Sequence, residues 1–142
     1  MSDFTNWDPS DVSITVCGIT IEGGFAPDTF LEVDQDANDF DDVAGALGDV
    51  TRVANKDKRG TITLTVMQKS EANALLSTLN NLDKKKKNGA GVGPMLIKDN
   101  GGTALYAAEH SWVQKPPPGT FATTPGTRVW LIRCADLERF DG

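Results

Sequence analysis

The sequence predicts a mainly β protein in which two antiparallel sheets pack together, as a sandwich or small barrel, with one α-helix on the flank. Three observations lead there. Apolar and polar residues alternate with a period of two in several short runs, and the runs are separated by Gly-, Pro- and Asn-containing breaks. Helical spacing of apolar residues occurs in one stretch alone, after Ser70. The chain has 142 residues, 39% hydrophobic and 24% charged, which suits one domain spanning 1–142 with its own core rather than two domains or a disordered chain.

Taken in order, residues 1–11 form a polar arm carrying Trp7, which nothing nearby in sequence can bury. Residues 12–17 open the alternation, with Val12, Ile14 and Val16 on one face, and residues 19–22 follow across Gly18. Residues 29–37 alternate again, with Leu31 and Val33 opposite Glu32, Asp34 and Asp36. Residues 38–50 hold Phe40, Val43, Ala44, Leu47 and Val50 among Asp, Gly and Asn. They read as a long loop or hairpin extension with a few apolar anchors, within an irregular region of about 38–58. A loop of that length inside a small domain is usually functional.

Gly60 then opens the clearest strand, through Gln68, with Ile62, Leu64 and Val66 inward and Thr61, Thr63 and Thr65 outward. Ser70 is the expected N-cap of a helix that has an acid in its first turn, with Ala74, Leu75, Leu79 and Leu82 at helical spacing. Its end falls in the lysine run 84–87, where cations suit the helix dipole, and Asn88-Gly89 stops it. A strand at 95–98, a tight turn at Asp99-Asn100-Gly101-Gly102 and a strand at 103–114 form a hairpin. The proline run 116–118 ends that strand, and 128–136 is the last strand, bringing the expected total to about seven.

Several functions are excluded by composition and spacing. Twenty acidic against fourteen basic side chains give a net charge of -6, the wrong sign for a surface that grips nucleic-acid phosphates. No apolar run approaches the ~20 residues of a membrane helix, and the polar start Met1-Ser2-Asp3-Phe4 is neither a secretory signal nor a transit peptide, so a soluble protein folded in a cytoplasm is expected. The glycines at 89, 91 and 93 follow a helix and precede a strand, the reverse of a phosphate-binding loop, so no cofactor site is expected.

Asp34, Asp36, Asp39, Asp41 and Asp42 lack the sixth-position glycine and closing Glu of a calcium loop. His110 is the one histidine and has no ligand-spaced partner in sequence, so neither a metal centre nor a nucleophilic triad is expected, and the chain does not read as an enzyme. Cys17 and Cys134 lie 117 positions apart. They read either as two buried small hydrophobes or as a disulfide, within or between chains.

Three stretches together carry a resemblance: NWDPSDVSITV at 6–16, RGTITLTVMQKSEANALLS at 59–77, and GPMLIKDNGGTALYAAEHSWVQ at 93–114 followed by RVWLIRCAD at 128–136. In order and spacing they resemble the tail tube proteins of contractile-tailed bacteriophages, and the strand 60–68 leading directly into the capped helix is the most specific part. The resemblance implies a subunit that forms hexameric rings stacked into a tube inside a sheath, through which the genome leaves. It implies as partners further copies of the chain, the tail sheath protein, and the tube-end proteins of baseplate and terminator. It places the protein in the virion tail, assembled in the host bacterial cytoplasm, with DNA passing through without specific binding.

On that reading the polar faces Glu32, Asp34, Asp36 and Thr61, Thr63, Thr65 are expected to line the bore, the alternative being that they face outer solvent or the sheath, since alternation fixes the face but not the side of the tube it meets. Phe40, Val43 and Leu47 are expected to contact a neighbouring subunit, and Trp7 either to do the same or to strap across its own domain. The competing reading is a small β-sandwich binding or adaptor module, or a secreted injection-system ring protein of the same architecture.

Overall fold

The computed structural model describes residues 6–86 and 91–142. The first five residues, Lys87 and the expected helix stop at Asn88-Gly89 lie outside them. A 3-10 turn, Pro9–Asp11, is capped by Asp8 and leads into β1 (Val12–Val16) and β2 (Ile19–Ile21). There follow β3 (Leu31–Gln35), β4 (Phe40–Ala44), β5 (Val50–Ala54) and β6 (Gly60–Met67). Helix α1 (Glu71–Lys85) comes next, and then β7 (Gly93–Asp99), β8 (Leu105–Lys115), β9 (Thr127–Cys134) and β10 (Glu138–Phe140).

Two antiparallel sheets result. The larger has eight strands in the order β2-β1-β7-β8-β9-β6-β3, with β10 also paired to β8; the smaller is the hairpin β4-β5. The large sheet curls, so that Ile14 and Val16 from one end and Ile62, Leu64 and Val66 from the other share one buried cluster with Leu76 of the helix. The two halves of this one sheet therefore face each other across the core, and the hairpin stands apart from it. All seven expected strands are present; β4, β5 and β10 are additional.

The period of two is confirmed where it was strongest. Along β6 the residues Gly60, Ile62, Leu64 and Val66 are buried, while the threonines between them are partly exposed. The Ser70 cap also forms, with its Oγ accepting the Ala72 N–H at 3.3 Å. The buried face of the helix differs from the expected one. It consists of Ala72 and Leu76, with Leu79 packed beside them, whereas Leu75 and Leu82 are exposed. Residues 72, 76 and 79 form an equally good helical stripe, and this is the one that packs on the core cluster.

Cys17 was expected to end the first strand, but it is a turn residue. Cys17 (φ 53°) and Gly18 (φ 81°) both have positive φ between the paired Val16 and Ile19, the backbone twist that joins two strands through a two-residue turn. The Cys17 N–H, turned away from the ladder, donates to the buried Ser111 Oγ at 3.0 Å, and that hydroxyl donates to the Gly93 carbonyl at 2.8 Å. A side chain at position 93 would bring its Cβ within 2.6 Å of the Cys17 carbonyl, so the crossing of β7 past this turn requires glycine.

Strand β8 carries two bulges. Met95 pairs with Ala108 and Gly93 with Ser111, so β8 holds one more residue than β7 over that span, and a second extra residue lies between Val113 and Lys115. The first bulge leaves Ala108 and Ser111 buried and turns both Glu109 and His110 to the outside.

Candidate functional site

The features able to act on other molecules are surfaces, and the sheet register defines them. Glu32 pairs with Thr63 and Asp34 with Thr61, and directly paired residues share a face. Thr61, Thr63 and Thr65 in turn pair with Arg133, Leu131 and Val129 of β9. The two polar faces read from separate strands are thus one continuous face, on the side of the sheet away from the core.

This face is less uniformly acidic and hydroxylic than the alternation suggested. Val129 and Leu131 lie on it, and Arg133 supplies a cation. Asp36 pairs with Arg133, both side chains being about one-fifth exposed. Thr61 donates to Asp36 Oδ1 at 3.0 Å and accepts from Arg133 Nη1 at 3.2 Å. Asp36 is therefore neutralised within the chain, and the freely exposed carboxylates of this face are Glu32 and Asp34. Arg133 lies 97 positions from Asp36, so only the β3-β6-β9 register brings them together.

The second surface is the hairpin. Residues 38–50, read as a loop or hairpin extension, form β4, the turn and the start of β5. Phe40 pairs with Ala54 and Val43 with Thr51, and the Gly45 N–H closes the turn on the Asp49 carbonyl. Every residue of both strands is exposed. Phe40 is 51% exposed, Val43 63% and Leu47, at the tip, 94%; Val50 and Val53 are exposed as well and were not among the expected contact residues.

Phe40 and Val43 are three residues apart in a strand and so point to opposite faces of the hairpin. The Arg52 guanidinium stacks on the Phe40 ring at 4.1 Å. An open polar groove of about 800 Å³ runs beside the hairpin stem, lined by Gln35, Asp39, Phe40, Asp57, Arg139 and Asp141. The Arg59 guanidinium, bonded to Asp57, holds that carboxyl down at about 2.

The three tryptophans occupy three environments. Trp130 is core, Trp112 is half-buried, and Trp7 on the arm is 63% exposed. Cys17 and Cys134 are free thiols, both buried. Burial pushes the Cys17 thiol up to about 11 and the Cys134 thiol upward as well.

His110 does acquire a partner through the fold. Its backbone N–H donates to Asp136 Oδ1 at 3.2 Å, and its ring Nδ1 lies 3.5 Å from Asp136 Oδ2. Among the described residues, Glu109, His110 and Asp136 form one grouping whose ligand-capable atoms lie within 4.8 Å of one another. Sequence spacing could not reveal it, because the bulge and the turn after β9 create it. No helix of the described residues is long and apolar enough to cross a membrane.

This curled sheet with a flanking helix is the fold of subunits found at contractile tubes and their ends. A chain of the anti-feeding prophage cap, a tube-terminating cap, matches it with a TM-score of 0.58 at 8% identity, covering 100% of this chain and 95% of that one. A chain of the sheath/tube terminator of an extracellular contractile injection system in its extended state matches with a TM-score of 0.57 at 10% identity over 99% and 100% of the two chains. A chain of the sheath-tube complex of such a system matches with a TM-score of 0.55 at 12% identity over 94% and 90%.

By sequence, the chain belongs to the bacteriophage PhiTE tail tube protein family, whose family model matches residues 11–142. It is also 33% identical over 109 residues to structural protein ORF10 of Pseudomonas phage KPP10, a match covering 77% of this chain and 63% of that protein. The family is a structural one of the phage tail.

Proposed function

We propose that this chain is the repeating subunit of an inner tail tube, self-assembling into stacked hexameric rings that conduct the genome at ejection inside a contractile sheath. The role is structural rather than catalytic. The observation that carries it is the hairpin β4-β5, on which Phe40, Val43, Leu47, Val50 and Val53 are all more than half exposed among the described residues. Exposed apolar side chains concentrated in this way mark an association surface. Membership of the tail tube family supports a second copy as what covers them.

On this reading Trp7 is a further contact between subunits. Glu32, Asp34, Thr61, Thr63 and Thr65 line the bore, where exposed carboxylates and hydroxyls repel or only weakly hold phosphates and so let them pass. The sheath protein, the baseplate tube-end protein and the terminator are the other partners. The virion tail is the place of action, and assembly takes place in the host bacterial cytoplasm. Negative-stain images of the purified chain are expected to contain long tubes of uniform width. Phe40→Ala with Leu47→Ala is expected to leave a folded monomer by sedimentation, and normal tubes from that double variant would defeat the hairpin's role.

The likeness to two terminator chains favours a second reading, a ring of the same architecture that closes a tube rather than extending it. Single rings without tubes, at any concentration, would select it.

A further inference from the structure

The first bulge of β8 leaves Glu109 and His110 both exposed, where strict alternation would have hidden one of them. Alongside it the chain bends at Ala135 and Asp136 on its way from β9 to β10. Two hydrogen bonds fix the bend to the bulge. The Ala135 N–H donates to the His110 carbonyl at 3.1 Å, and the His110 backbone N–H donates to Asp136 Oδ1 at 3.2 Å. Asp136 Oδ2 then stands 3.5 Å from the ring Nδ1 of His110, and Glu109 completes a set of three donors within 4.8 Å of one another. An open cavity of about 370 Å³ lies against them, lined by Ala107, Ala108, Glu109, Asp136 and Glu138. The ion pairs made by Lys or Arg among the described residues are Arg59–Asp57, Arg133–Asp36 and Arg139–Asp141, and none of them reaches this place. Three carboxylates around one imidazole leave negative charge in excess, whichever protonation state the ring adopts.

We propose that Glu109, His110 and Asp136 bind a divalent transition-metal ion of the zinc type. The donor set selects that class: an imidazole nitrogen with carboxylate oxygens suits zinc and its neighbours, whereas calcium and magnesium take oxygen alone. The geometry agrees. Two donors each ~2.1 Å from a tetrahedral ion stand about 3.4 Å apart, and His110 Nδ1 and Asp136 Oδ2 are 3.5 Å apart. The bond from the His110 N–H to Oδ1 orients the Asp136 carboxylate and leaves Oδ2 to ligate, the role that outer hydrogen bonds play at metal centres. A tetrahedral ion with three protein ligands keeps a fourth position, for a water or for Glu138 in the wall of the same cavity. Strand β10 is three residues long and pairs with β8 alone. An ion joining the β8 bulge to the bend before β10 clips this last strand to the sheet. The site is complete within one chain and does not depend on the tube-subunit reading.

The test titrates Zn2+ into the full chain by calorimetry, with no affinity tag and after stripping by a chelator. One ion per chain is expected, bound in the micromolar range, and the melting temperature is expected to rise as the site fills. His110→Gln, Asp136→Asn and Glu109→Gln are each expected to weaken binding about tenfold or more. All three positions are on the surface or only partly covered, so the variants are expected to keep the circular dichroism of the parent. Glu22→Gln, an exposed acid on another part of the sheet, is the control and is expected to bind as the parent does. Since His110 is the one histidine, its ring resonances report contact directly, and paramagnetic Co2+ is expected to shift them in step with occupancy. Several results would overturn the site: no saturable binding, parent affinity in any of the three variants, an equal loss in Glu22→Gln, or ring resonances unmoved at saturation. Mg2+ binding as tightly as Zn2+ would likewise refute a site built on an imidazole.

Discussion

Trp130 donates its indole N–H to the side-chain oxygen of Asn73 at 2.9 Å, and this bond anchors the helix to the sheet. Trp130 is almost wholly buried in β9, whereas Asn73 sits in the first turn of α1. The amide nitrogen of Asn73 reaches back to the carbonyls of Met67 and Gln68 at 3.1 Å each. One side chain therefore satisfies a buried donor and two carbonyls at the corner between β6 and the helix. Asn73→Ala would leave the indole N–H unpaired in the core, an expected loss of about 1–3 kcal/mol in urea unfolding. Trp130→Phe, combined with it, is expected to be less than additive. Strict additivity would mean that the bond contributes nothing.

Ser111 is the one buried polar side chain among the described residues, and it bridges the Cys17 turn to β7. Ser111→Ala strands a backbone donor and a backbone acceptor together, with an expected cost of about 1–3 kcal/mol. Gly93→Ala at the same crossing forces a Cβ against the Cys17 carbonyl and is expected to cost about as much through overpacking. Gly119→Ala, where a Cβ would meet nothing within 4 Å, is the control and is expected to leave the melting temperature within a degree or so. Equal effects at 93 and 119 would contradict the close approach.

The buried thiols define an alkaline limit. Burial raises Cys17 from 9.0 to about 11, with the Ser111 hydroxyl pulling it down and Asp83 adding to the rise. The folded chain then holds a proton that the unfolded chain releases, so this contribution to stability is fully present below pH 9. It is lost as pH rises through about 11. Cys134, raised chiefly by burial, acts in the same direction. The urea midpoint is expected to fall between pH 9 and 11, with a smaller fall in Cys17→Ala. A midpoint independent of pH over that window, identical in the two proteins, would refute the assignment.

Under the tube proposal, the exposed acids of the β3 face keep DNA from binding the wall. Glu32→Lys with Asp34→Lys is expected to permit tubes but to slow or trap ejection, most strongly at low salt, where screening is weakest. Asp36 is left unchanged in this variant because Arg133 already neutralises it. Ejection at the native rate in dilute buffer would place these carboxylates elsewhere than the bore.

Much of the architecture was legible in local pattern. The alternation of Ile62, Leu64 and Val66 with threonines specifies a strand and its inward face, because successive side chains of an extended backbone must point in opposite directions. Ser70 marks the helix start because its hydroxyl can satisfy a free N–H of the first turn. The turn at Asp99–Gly102 was readable for a similarly local reason: the Asp99 carboxylate and carbonyl take the Gly101 and Gly102 N–H groups. The hairpin at 40–54 was only half legible. Its strands carry Asp on both faces and bury nothing, so the usual contrast between an apolar and a polar side is missing.

By itself, then, the sequence determined the strands with a buried side, the capped helix and the family to which the chain belongs. The tertiary structure alone decided that the faces of β3 and β6 are one, that Arg133 removes Asp36 from it, and that a bulge sets His110 beside Asp136. It also turned Phe40 and Val43 to opposite sides of an exposed hairpin. The physical reason is range. Period and capping act between residues a few bonds apart, whereas register, bulges and ion pairs depend on which distant strands bury their side chains together.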